Sequence, residues 1–172
     1  MARNVVLVGF SGAGKTTIGR ELALRLGLEF VDLDAAIEEK YHATIPHIFQ
    51  KYGESVFRQC EYQTLKEILE GQGIVISAGG GTPANQDAMQ LMNAHAVTVY
   101  IDLPEETLVQ RLKNSKKDRP LTVSLTEEQL TAYVHERLQQ RLPYYRMTQL
   151  TVNENEVEIE HLKRLLEPLI TK

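Results

Sequence analysis

Lys15 and Thr16 stand at the end of the run Gly9-Phe10-Ser11-Gly12-Ala13-Gly14-Lys15-Thr16-Thr17. Gly-x-x-x-x-Gly-Lys-Thr is the spacing of a loop that wraps phosphate groups. Successive backbone N–H groups in such a turn point inward as an anion nest, and the helix that follows adds its positive dipole end. A lysine there reaches β- and γ-phosphates, and the threonine hydroxyl can ligate a bridging Mg²⁺. Gly12, Ala13, Gly14, Lys15, Thr16 and Thr17 are thus candidates for binding a nucleoside triphosphate. A plain glycine-rich turn with an exposed lysine is the competing account. It explains less, because an apolar run (Val5-Val6-Leu7-Val8) precedes the loop and helical spacing (Ile18, Leu22, Leu26) follows it.

Asp32 and Asp34 lie two residues apart at the end of a second apolar run. A strand over 29–34 would place both carboxylates on one side. One could hold a metal-bound water while the other faces an acceptor hydroxyl. A helix cap at Asp34 with a solvated Asp32 accounts for the pair equally well. Gly79-Gly80-Gly81 closes a third apolar run. One glycine serves a tight turn, so three favour a ligand lying against the peptide bonds.

Arginine suits bidentate carboxylate binding and charge on a transferring phosphoryl group. Arg58 has Glu61 within one helical turn; Arg119 precedes Pro120 in a polar loop; Arg141 precedes Pro143 by two. Each alone reads as a surface residue. The five histidines have no metal-ligand spacing. The one cysteine, Cys60, excludes an internal disulfide and reads as a buried or half-buried structural thiol.

The elements that must position these groups alternate. Strands are expected over 5–10, 29–34, 73–78, 96–102 and 150–152. Helices are expected over 15–26, 85–93, 104–113, 127–141 and 157–170, with Pro104 opening the third of these. A long helical stretch over 35–69, broken near 42–46 and 52–53, exceeds a simple crossover and reads as an insertion. The pattern is that of an α/β domain on a mostly parallel sheet, a single unit over 1–172. Ligands of such sheets bind beyond the carboxyl ends of the strands, where the glycine loop, the aspartates and the triple glycine would meet.

A hydrophobic fraction of 42%, a charged fraction of 24% and a net charge of -4 are ordinary for a globular chain and speak against a general nucleic-acid binder. No signal-peptide pattern opens the sequence and no apolar run approaches a membrane span. The expectation is a cytoplasmic protein with no nucleic-acid or membrane partner.

Taken in order, these motifs resemble the shikimate kinase family. The likeness runs from Gly9–Thr17 and Ile18-Gly19-Arg20 through Asp32-Leu33-Asp34, Ile45–Phe49, Gly53-Glu54-Ser55-Val56-Phe57-Arg58 and Glu61. It continues through Gly79–Gly81 and Arg119-Pro120-Leu121 to Arg141-Leu142-Pro143-Tyr144-Tyr145. The resemblance implies a three-layer α/β/α P-loop NTPase fold with a five-stranded parallel sheet. It further implies a helical substrate-binding insertion at about 34–61 and a lid at about 113–125. ATP would be co-substrate with Mg²⁺, and its γ-phosphoryl would pass to the 3-hydroxyl of shikimate in aromatic amino-acid biosynthesis. Asp34 would be the base and hold that hydroxyl, Arg58 and Arg141 would bind the carboxylate, and Gly79, Gly80 and Gly81 would complete the pocket. Lys15 and Arg119 would neutralise charge, Arg119 from the lid over ATP. Arg111 would lie near the adenine, Thr16 would ligate Mg²⁺ and Asp32 would act on it through water. The protein would be a monomer. The sequence departs from the family at His42-Ala43, where a glycine turn is common, and near 146–149, which is a residue shorter. A kinase of another small acceptor such as a sugar acid, or a nucleotide-binding regulator, is the rival reading. A guanine-specific switch would need Asn-Lys-x-Asp, which is absent.

Overall fold

The computed structural model describes residues 2–115 and 124–171. Five strands form one sheet: β1 (Asn4–Val8), β2 (Glu29–Asp32), β3 (Ile74–Ser77), β4 (Ala96–Asp102) and β5 (Leu150–Asn153). Their order is β2-β3-β1-β4-β5, and every pairing is parallel. Parallel strands covered on both faces read as unbroken apolar runs; Val5, Val6, Leu7 and Val8 of the central β1 are all 0% exposed. The phosphate-type loop therefore grows from the most deeply buried strand.

Helices α1 (Lys15–Leu26), α2 (Leu33–Tyr41), α3 (Ile45–Leu69), α4 (Ala88–His95), α5 (Glu105–Lys113), α6 (Glu127–Tyr145) and α7 (Ile159–Ile170) connect and flank the strands. Gly14 begins α1 at φ 86°, a left-handed angle that lets the loop turn sharply into the helix. Leu22 and Ala23 of α1 are buried, while Ile18 and Leu26 are half-buried. Cys60 is also half-buried.

Several boundaries differ from the sequence expectations. The second strand stops at Asp32, so Asp32 and Asp34 do not share one strand face. Asp32 is the N-cap of α2, its Oδ1 accepting from the Ala35 N–H at 3.1 Å, and Asp34 lies in the first helical turn. The capping role expected of Asp34 belongs to Asp32. The first strand ends at Val8. Thr82–Ala84 form a short 3₁₀ turn, which delays α4 to Ala88. Pro104 caps α5 from outside it. Pro143 does not end α6, which runs on to Tyr145, because a proline this near the C-terminus costs one backbone donor. The closing helix starts at Ile159 rather than 157. The segment at about 34–61, read as an insertion, falls on α2 and the larger part of α3, and Gly53 at φ 84°, ψ 172° breaks α3 into two parts.

Candidate active site

The carboxyl ends of β1, β2 and β3 open into one cleft of about 800 Å³. Gly12, Gly14, Lys15, Thr16 and Thr17 line it on one side. Asp32 and Asp34 come from β2 and α2, Gly79 and Gly80 follow β3, Arg111 comes from α5 and Arg141 from α6. Ala13 is buried beneath the loop. Arg58 and Gly81 stand beside the cleft rather than in its wall. Arg119 and most of the expected lid lie outside the described residues.

Lys15 is 7% exposed, and its Nζ donates to the Gly9 and Phe10 carbonyl oxygens at 2.7 and 2.9 Å. This holds the ammonium across the loop's own concavity. The Thr16 hydroxyl donates to Asp32 Oδ2 at 2.6 Å and lies 3.4 Å from Ser77 Oγ. One carboxylate thus serves two elements, Oδ1 capping α2 and Oδ2 tying it to the start of α1. Arg111 Nη1 reaches the Ala13 carbonyl at 3.3 Å and so crosses the back of the loop.

Asp34 opens onto the cleft from the first turn of α2. Although Asp34 is exposed to the cleft, its pKa is pushed up to about 6, first by loss of hydration inside the cleft, then by the negative charges of Asp32 and Glu61. Lys15 opposes the rise. A carboxyl held near 6 can accept a proton at neutral pH more readily than an ordinary aspartate.

Glu61, 1% exposed, organises the side of the cleft nearest Arg58 and Gly81. It accepts from Arg58 Nη1 at 2.9 Å, from Thr82 Oγ1 at 2.8 Å and from Asn85 Nδ2 at 3.2 Å. Asn85 Nδ2 also donates to the Arg58 carbonyl at 2.7 Å. Arg58 is thereby fixed against Gly81, where an added Cβ would lie 2.6 Å from its Nη2. Arg141 packs on Gly80 in the same way, 3.1 Å from where a Cβ would be, with its Cζ 5.3 Å from the Phe10 ring centre. The triple glycine is a seat for two guanidinium groups. Glu61 was expected beside Arg58; Thr82, Asn85, Ser77 and Tyr133, which also lines the cleft, carried no sequence signal.

Among the described residues no group of three or more His, Cys, Asp and Glu is arranged to hold a metal. Thr16, Asp32 and Ser77 instead converge as hard oxygen donors. Mg²⁺ suits that set, because it takes one or two protein ligands and keeps water on the rest.

A parallel five-stranded sheet, a phosphate-wrapping loop on its central strand and a cleft shared by that loop and the helices α2 and α3 define the class, a small-molecule P-loop kinase. The comparisons are narrower: the family profile described as Shikimate kinase matches residues 11–169, and the chain belongs to the shikimate kinase family. It is 43% identical over 149 residues to the shikimate kinase of Parabacteroides distasonis, covering 87% of this chain and 86% of that one. Against the Bacteroides thetaiotaomicron shikimate kinase crystal structure the TM-score is 0.91 at 36% identity, covering 98% and 99% of the two chains. The Acinetobacter baumannii shikimate kinase solved in complex with shikimate gives 0.85 at 35% identity, over 98% and 93%. A gluconokinase from Sinorhizobium meliloti gives 0.61 at 18% identity, a likeness of fold alone. The chain is an ATP-dependent phosphotransferase with an alcohol acceptor.

Proposed function

We propose that this cleft transfers the γ-phosphoryl of ATP to the 3-hydroxyl of shikimate, giving shikimate 3-phosphate and ADP. The observation that carries the reading is the meeting of Lys15 and Thr16 with Asp34 and Arg141 in one cleft. A nucleotide loop alone would serve any NTPase; a poised carboxyl and an arginine opposite it select a hydroxylated carboxylate.

Phosphoryl transfer needs positioning and charge neutralisation more than covalent chemistry. The loop N–H groups from Gly12 to Thr17 hold the phosphates, and Lys15 turns from its carbonyl partners to the γ-phosphate oxygens. Thr16 would hold Mg²⁺ directly and Asp32 through water, and the ion would supply charge neutralisation to the phosphates. Arg111 lies beside the adenine. Asp34 orients the 3-hydroxyl and takes its proton. Arg58 and Arg141 grip the carboxylate, with the Gly79–Gly81 peptides as floor. Arg119 belongs to the closing lid over ATP. The chain acts as one domain, a monomer in the cytoplasm, with the insertion at about 34–61 choosing the acceptor. Among the described residues no helix is long and apolar enough to cross a membrane.

The test is ADP release in ATP and Mg²⁺ with a panel of hydroxy acids. Release that depends on shikimate is expected. Release with a sugar acid but not shikimate, or without any acceptor, overturns the assignment.

A further inference from the structure

Tyr145 is a buried polar side chain for which the proposed mechanism has no use. It is 0% exposed in the last turn of α6, four residues after Arg141 and therefore on the same helical face. Its hydroxyl donates to the Gly80 carbonyl at 2.5 Å, a contact across 65 residues of chain. Its ring rests on Tyr100, centres 5.1 Å apart, so it cannot slide away from that oxygen. Burial pushes the phenol up to about 12, and the positive charge of the Arg141 guanidinium works against that rise. The phenol therefore stays protonated and remains a donor at any working pH.

We infer that Tyr145 is the positioning residue for carboxylate recognition, setting the separation of Arg141 from the Gly80 peptide. Arg141 and Gly80 both line the cleft, from elements distant in sequence. Among the described residues, packing and the Tyr145 bond fix one against the other, and the guanidinium already lies against the Gly80 backbone. An arginine can hold a carboxylate by two parallel bonds only when its plane is fixed. A buried tyrosine always needs a partner, so simple satisfaction of the hydroxyl is the plainer account. That account gives it no bearing on which substrate is chosen.

The inference rests on Arg141 meeting the substrate carboxylate, and the test separates the two ideas. The kcat/KM values for shikimate and for its carboxamide, isosteric but neutral, are compared in each variant. In Tyr145→Phe the shikimate-to-carboxamide ratio should narrow about tenfold, the scale of one misaligned charge-assisted bond, through KM for shikimate. KM for ATP should not move. Tyr100→Phe, which deletes the other hydroxyl of the stacked pair, should leave the ratio intact. Equal losses on both substrates, or an unchanged ratio, overturn the inference. If Tyr145→Phe fails to fold, 4-fluorophenylalanine at 145 (shape without a donor) should narrow the ratio and 4-aminophenylalanine should keep it; equal ratios overturn the inference. Arg141→Ala should abolish the preference. If it does not, the carboxylate reading of Arg141 fails; if it does and Tyr145→Phe does not, only the role of Tyr145 fails.

Discussion

Glu61 lies almost wholly out of water beneath Arg58 and holds its Nη1 at 2.9 Å. Two further donors, from Thr82 and Asn85, satisfy the same carboxylate. A buried charge with three donors is tolerable; removing it takes a partner from all three, and Thr82 loses the only acceptor its hydroxyl has among the described residues. Glu61→Ala should cost about 3 kcal/mol in urea unfolding and raise KM for shikimate by loosening Arg58. Unchanged stability would show that the donors find water instead.

Asp34→Asn should lower kcat by about 100-fold or more, since a positioned base is worth that much, while a fluorescent ADP analogue still binds. Near-normal turnover would remove Asp34 as base. In the wild type kcat/KM should fall on the acid side of about pH 6, where the carboxyl takes a proton.

The same shift has a stability sign. A raised folded-state pKa means the native chain holds the proton between about pH 4 and 6, where an unfolded chain has lost it. Stability from this group is full below that window and declines as pH rises through it. Asp34→Asn should therefore melt higher than wild type at pH 7, with the gap closing toward pH 4. A lower melting temperature at pH 7 would contradict the crowding argument.

Gly81→Ala would set a methyl 2.6 Å from Arg58 Nη2 and 3.0 Å from Nη1. The guanidinium is the far end of a long side chain and can swing aside. Doing so takes one of three donors from the buried Glu61 carboxylate, so a loss of stability smaller than that of Glu61→Ala should accompany the shift. KM for shikimate should rise about tenfold with KM for ATP unchanged, the pattern for a lost ground-state contact. Steady-state kinetics at saturating ATP reads this directly.

His42 closes α2 at φ 50° and is exposed, a left-handed position that costs a side chain about 1 kcal/mol. His42→Gly should raise the melting temperature by about 3 °C, as scanning calorimetry would show. No change would mean that the imidazole makes up the strain.

Much of this was legible in the sequence because local chemistry specified it. The phosphate loop, the triple glycine and the Arg58–Glu61 spacing each need particular residues at short range. Asp34 was misplaced because Leu33 is fully buried between two aspartates, which also fits strand alternation. The deciding signal was Ile37 four residues on, equally buried, which with Leu33 marks a helical face. Tyr145, part of the run 141–145, carried no sign of its contact for a different reason. Pro143 reads as a helix end, and the partner of the tyrosine lies 65 residues away. No spacing rule carries a contact of that range.

The break at Gly53 divides α3 into halves of unequal anchorage. Before it only Ile48 is buried; after it Phe57, Glu61, Thr64, Leu65 and Leu69 are. The early half can therefore fray without disturbing the sheet, in a sub-global opening of low free energy. Amide hydrogens over 45–52 should exchange sooner than those of β1, which are released only by global unfolding. The wall proposed to meet the acceptor would then open and close on a timescale the phosphate loop does not share.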